Sequence, residues 1–166
     1  MRLLLPKERL SRISEITPDW LAARGLRGVI ADLDNTLVPY GAAPPPPAEL
    51  AEWKQALDRA GVPLALVSNA KIGRTREWAE ALGVPGWGLA GKPVPLSLKL
   101  TIKKMGLSPA EVAVVGDQLF TDVLGANLAG GYSVLVEPIE PKDGLPHTRW
   151  VRRLERRILK STSAPK

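Results

Sequence analysis

Five short apolar runs punctuate this 166-residue chain, and a helix-patterned stretch separates most of them from the next. They lie at residues 28–33 (GVIADL), 63–67 (PLALV), 87–90 (WGLA), 112–115 (VAVV) and 132–136 (YSVLV). The first is rich enough in β-branched residues to be a buried strand. Helical patterning covers 48–60, ending at Gly61, and 73–82, closed by Gly83. It returns at about 95–105 and at 119–129, where Gly130 and Gly131 stop it. A short helix opens earlier, with Thr17 as its N-cap and Pro18 at its first position. Residues 41–47 contain four consecutive prolines, which favour a stiff polyproline segment over helix or strand. Strands alternating with helices predict an α/β fold, a parallel sheet with helices on both faces. Sites in such sheets lie beyond the carboxyl ends of the strands, near the point where strand order reverses.

Length and composition set outer bounds. The chain is read as a single domain spanning 1–166, with its core at about 21–160. It has no cysteine, which excludes a thiolate nucleophile, an iron–sulfur cluster and a Cys-based zinc site. Its one histidine, His147, excludes a His-rich metal centre. No apolar run approaches the roughly 20 residues of a membrane span. The opening leucines are too few for a signal-peptide core of about 7–15 residues. A soluble, cytoplasmic protein is expected. Residues 28–141 carry nine basic and twelve acidic side chains, whereas 142–166 carry eight and two. An acidic body suits a cation site, and a basic end suits a polyanionic surface.

The polar residues after the strands carry the chemistry. Asp32 and Asp34 follow the first run, Ser68 and Asn69 the second, Lys92 the third, and Asp117 the fourth, with Asp122 five residues on. Singly, each has an ordinary reading: Asp and Asn as turn residues, Ser68 as a turn hydroxyl, Lys92 as a surface lysine. Asp122 alone would offset a helix dipole. Their joint placement at strand ends points instead to phosphoryl transfer. A carboxylate can attack phosphorus and split a hard displacement into two steps. A divalent cation held by Asp32 and Asp117, with Lys92 as a fixed charge, would neutralise the approach of one anion to another. Ser68 and nearby backbone N–H groups can bind phosphoryl oxygens, and Asp34 can serve as acid and base.

The segments VIADLDNTL, LVSNA, GKP and VVGDQLFTD resemble the four motifs of the haloacid dehalogenase-like (HAD) hydrolases. The resemblance implies a Rossmann-like three-layer sandwich with a five-stranded parallel sheet in the order 3-2-1-4-5. It implies Asp32 as nucleophile and Asp34 as acid/base, with the Asp34 backbone carbonyl also on Mg²⁺. It places Ser68, Asn69 and Lys92 at the substrate phosphate, and Asp32, Asp34, Asp117 and Asp122 about the metal. Asp34 favours a phosphatase, because the dehalogenase branch lacks that acid. From about Leu21 to Leu159, including the LVEPI ending and the final R-x-L-E-R run, the chain is similar to YqeG-type HAD-IIIA phosphatases. These are related to phosphatidylglycerophosphate phosphatases. Ala70 stands where many relatives carry a second asparagine, a departure that touches peripheral substrate contacts.

Several lookalike motifs fail on chemistry. Gly86, Gly88 and Gly91 spell GxGxxG, but Pro93 and Pro95 prevent a helix from opening there. Gly86 to Lys92 also fits GxxxxGK, yet Pro93 stands where a metal-ligating hydroxyl is required. DLDN is no calcium loop, since its sixth position is Leu37 rather than glycine. Ser68 lacks the G-x-S-x-G setting of a triad serine.

The connections after the first and third runs are too short to fold a lid, so an open site is expected, covered by a large substrate such as a lipid headgroup. Over 147–160 a basic helix is expected, with Arg149, Arg152, Arg153, Arg156, Arg157 and Lys160 within roughly 140° of one face. Trp150, Val151, Leu154 and Ile158 form the other face. Packing on the core and peripheral contact with anionic membrane are both compatible with it. Nucleic acid is disfavoured, because that face has no interleaved aromatics for stacking. The alternatives are a soluble metabolite phosphatase and a non-enzymatic phospho-switch or partner-binding module; Asp34 favours turnover over stable phosphorylation.

Overall fold

The structure is a computed structural model and describes residues 2–140. The basic stretch at 147–160 and the R-x-L-E-R run lie outside the described residues. In chain order the described elements are β1 (Glu8–Leu10), α1 (Pro18–Ala22), β2 (Gly28–Ala31), α2 (Ala48–Arg59), β3 (Leu64–Val67) and α3 (Ile72–Leu82). There follow β4 (Gly86–Trp87), α4 (Leu96–Lys104), β5 (Val112–Gly116), α5 (Leu124–Ala129) and β6 (Tyr132–Val136).

Every pairing in the sheet is parallel, in the order β1-β6-β5-β2-β3-β4. The five strands read from the apolar runs keep the expected relative order, and the sheet gains a sixth. That sixth is β1, whose sequence, ERL, has no apolar run and which is only half buried. It exists because β6 offers an unpaired edge: Glu8 aligns with Val134 and Leu10 with Val136. Lys7 N donates to Ser133 O (2.9 Å), and Glu137 N to Leu10 O (3.2 Å).

The strand period of two divides the core between the faces. Val29 and Ala31 of β2, with Ala113 and Val115 of β5, meet Leu21, Leu57 and Trp78 from α1, α2 and α3. Ile30, Val112 and Val114 point the other way, onto Leu98 and Ile102 of α4 and Ala126 of α5. Both faces are covered, as an all-parallel sheet requires.

Local signals explain most boundaries. Thr17 Oγ1 accepts from Trp20 N (3.1 Å), with Pro18 at the first helical position. α3 ends at Gly83 and α5 at Gly130, both left-handed at φ 63° and 83°. No helix or strand forms over 41–47. One helix differs from expectation. The stretch 119–129 is helical throughout, but Leu119–Val123 forms a wide π turn and the α-helical part, α5, begins only at Leu124. Asp122 N and Val123 N both reach back to Gln118 O (3.0 and 3.2 Å), so this turn carries an extra residue, as π segments at functional sites often do.

Among the described residues, the loops after β2 and β4 fold no cap over the carboxyl end of the sheet. No helix there is long and apolar enough to cross a membrane.

Candidate active site

β2 lies between β3 and β5, where the connections diverge to the two sides of the sheet, and its carboxyl end delivers Asp32. Asp32 N donates to Val115 O (2.9 Å), which continues the β2–β5 ladder by one residue and fixes Asp32 at the strand end. β5 delivers Asp117, and the wide turn that follows delivers Asp122. Oxygens of Asp32, Asp117 and Asp122 lie within 4.8 Å of one another, and all three residues are buried.

Lys92 reaches into this cluster from the loop after β4. Its Nζ stands 2.9 Å from Asp32 Oδ1 and 2.6 Å from Asp122 Oδ1. Asn69 sets its position, since Lys92 N donates to Asn69 Oδ1 (2.9 Å) and Asn69 Nδ2 donates to Lys92 O (3.0 Å). The amide expected at the substrate is thus engaged with the lysine backbone. Ser68 Oγ accepts from Ala70 N (3.2 Å) in a tight turn after β3.

Gly116 has a steric reason. A Cβ there would overlap the Asp122 carboxylate, so only glycine lets that group lie against the strand end. Gln118 N donates to Asp122 Oδ2 (3.1 Å) and fixes its orientation. Gly86 and Gly88, two of the three glycines of the false dinucleotide motif, have a packing role. Added Cβ atoms would come within 2.7 Å of Ala79 Cβ and Ile72 Cα, so the glycines let this segment press against α3.

Burial pulls the Lys92 ammonium down, but the Asp122 and Asp32 carboxylates outweigh it, and its pKa ends above the usual lysine range. Asp122 is pushed up to about 6, because burial and the Asp32 charge outweigh the stabilising Lys92 ammonium. One ammonium contacts two of three clustered carboxylates, leaving an all-oxygen, negatively biased donor set. That set suits a hard divalent cation.

Asp34 is not part of the cluster. Its carboxylate turns to Arg74 of α3: Arg74 Nη2 lies 2.6 Å and Nε 3.0 Å from Asp34 Oδ1. Sequence reasoning missed Arg74, although a signal was there. A cation in the first turn of a helix opposes the dipole and calls for a nearby anion. Thr36 went unremarked too; its Oγ1 is buried without a hydrogen-bond partner.

Comparison with known proteins agrees with this geometry. The HAD-hydrolase-like family model matches residues 89–138, from the Lys92 loop through β6. Over 158 residues the chain is 39% identical to "Probable phosphatase YqeG" of Bacillus subtilis (strain 168), covering 95% of this chain and 91% of that protein. The chain belongs to the HAD-like hydrolases. It is a HAD-type phosphatase, a phosphoric monoester hydrolase. A more distant HAD relative is "Phosphatidylglycerophosphate phosphatase 1, chloroplastic/mitochondrial" of Arabidopsis thaliana, 27% identical over 172 residues. That match covers 96% of this chain but 48% of the plant protein, so the chain spans about half its length. The cobalt-bound deoxy-D-mannose-octulosonate 8-phosphate phosphatase of Haemophilus influenzae shares the HAD fold, with a TM-score of 0.56 at 18% identity. That structural match covers 82% of this chain and 89% of the other.

Proposed function

We propose that this phosphatase is Mg²⁺-dependent, works through a phospho-Asp32 intermediate and takes a phosphomonoester on a lipid headgroup, phosphatidylglycerophosphate first. The observation that carries the reading is Asp32 Oδ1 held 2.9 Å from Lys92 Nζ at the carboxyl end of the sheet. Asp32 attacks phosphorus while the bond to the leaving oxygen breaks, and Asp34 gives that oxygen its proton. Water then attacks the phospho-Asp32, Asp34 takes the proton, and phosphate leaves. Acid–base assistance of this kind is worth about 10²–10⁴-fold. Ser68 Oγ and the backbone N–H groups beside it hold the phosphoryl oxygens, with Lys92 as fixed positive charge.

The Asp32, Asp117 and Asp122 carboxylates, with the Asp34 backbone carbonyl, would hold the Mg²⁺. When bound, the ion neutralises charge as two anions approach.

Three observations support the lipid assignment: the plant relative's name, the absence of a cap among the described residues, and the apolar loops beside the site. Tyr40, Leu89, Val94 and Leu96 are all well exposed on or beside the loops that leave β2 and β4. A phosphate on an apolar body would cover such a rim, as the expulsion of water requires. Contact of the basic stretch at 147–160 with anionic lipid on the cytoplasmic side of a membrane belongs to the same proposal.

The test is phosphate release with Mg²⁺ from phosphatidylglycerophosphate in mixed micelles against soluble phosphomonoesters, with Asp32→Asn beside wild type. A lipid preference of 10² or more in kcat/KM, about 2.7 kcal/mol, is expected. Equal rates on soluble esters would make it a metabolite phosphatase. Normal turnover by Asp32→Asn would sink the mechanism.

A further inference from the structure

Arg74 makes the one described side-chain ion pair to Asp34, and it is not an ordinary surface pair. The two side chains are 22% and 16% exposed, Nη2 lies 2.6 Å from Oδ1, and Nε bridges Oδ1 and Oδ2 at 3.0 and 3.3 Å. The guanidinium is itself anchored. Its Nη1 donates to Ala42 O, and the same carbonyl accepts from Nε1 of the buried Trp78 (3.2 Å). Ala42 lies in the proline-bearing stretch 41–47, so α3, that stretch and Asp34 are tied through one arginine. A cation in the first turn of α3 works against the helix dipole, a placement that costs helix stability and is offset here by the pair.

The contacts are asymmetric. Oδ1 receives both short hydrogen bonds, while Oδ2 has only the 3.3 Å approach. We infer that Arg74 is the positioning residue for the acid/base: it pins Oδ1 and leaves Oδ2 as the oxygen that exchanges protons. In the first half-reaction the Oδ2 proton passes to the leaving oxygen as its bond to phosphorus breaks. In the second, Oδ2 takes a proton from the attacking water as the bond from phosphorus to Asp32 breaks. This inference rests on the assignment of Asp34 as acid/base, and a planar fork serves the role better than a point charge.

The role predicts a dependence on the leaving group. An alkoxide needs its proton during bond cleavage, whereas p-nitrophenolate leaves as the anion. Arg74→Met, Arg74→Lys and Asp34→Asn are each assayed with Mg²⁺ for kcat/KM on an alkyl phosphate and on p-nitrophenyl phosphate. The alkyl-to-aryl ratio is taken within one sample, so a partly unfolded fraction cancels. Arg74→Met is expected to lower the alkyl value by about 10–10²-fold and the aryl value by less than about threefold, with Arg74→Lys between it and wild type. An equal loss on both substrates, or no loss, overturns the inference and leaves Arg74 a structural residue. Should Asp34→Asn itself leave the ratio unchanged, the acid/base assignment fails and the inference with it. A changed ratio in Asp34→Asn but not in Arg74→Met refutes the positioning role alone.

Discussion

Lys92 neutralises charge where three carboxylates crowd together, and its side chain is 3% exposed. Removing one partner of a buried ion pair typically costs about 3–5 kcal/mol, because the remaining charges stay buried. Lys92→Met should therefore destabilise the protein by about that amount in EDTA. Mg²⁺ should restore part of the loss, by supplying positive charge to the same carboxylates. Thermal unfolding with and without Mg²⁺ tests this, and an unchanged melting temperature in EDTA would show that Lys92 carries no such balance. Lys92 was legible as a strand-end cation, and Asp32, Asp117 and Asp122 as strand-end acids. Arg74 offered only the hint of a cation set against a helix dipole, because its partner stands 40 residues earlier in the chain and only the packing of α3 beside the β2 loop brings the two together.

The elements that carry these residues are registered from the opposite end of the sheet. Ser108 and Glu111 form a capping box just before β5, with Ser108 N and Oγ donating to Glu111 Oε2 at 2.8 and 2.7 Å. Arg27 then ties that turn to the start of β2, through its N on Glu111 O (2.7 Å) and its Nη1 on Glu111 Oε1 (2.9 Å). The Ser108 hydrogen bonds, with Arg27 beside them, lower the Glu111 pKa from 4.5 to about 2. A carboxylate depressed on folding contributes stability that is full above 4.5 and is lost as pH falls through about 2. Glu111→Gln keeps an acceptor for the cap but not the charge. Its melting temperature should lie below wild type at pH 7, and the gap should narrow by pH 3. A gap independent of pH would remove the charge from this account. Strand β1 and the wide turn before α5 show what pattern reading loses at this scale. The first is made by an edge partner more than 120 residues away, and the second by backbone hydrogen bonds that seat one carboxylate.

Across the molecule, the unbalanced acidic cluster couples folding to metal and pH. Burial and the Asp32 charge raise Asp122 from 3.8 to about 6, so its contribution to metal-free stability is full below 3.8 and is lost as pH rises through about 6. A divalent cation must displace that proton below 6 and meets a free carboxylate above it. Mg²⁺ should raise the melting temperature more at pH 8 than at pH 5. An equal rise at both values would mean that Asp122 is already ionised without metal.

Strand-ending acids, a lysine after the third run and glycines at helix ends were written locally, in residue type and spacing of a few positions. Hydrophobic period and turn chemistry act over that same range, which is why a parallel α/β sheet and the acids at its carboxyl edge could be read from the chain. Contacts across long separations had no such local signature. Only the folded sheet seats β1 on β6, turns Asn69 onto the Lys92 backbone and swings Asp34 away from the other acids to Arg74. Each of these depends on which loops meet at the carboxyl end once the helices have buried their apolar faces, and burial is a property of the whole packed molecule.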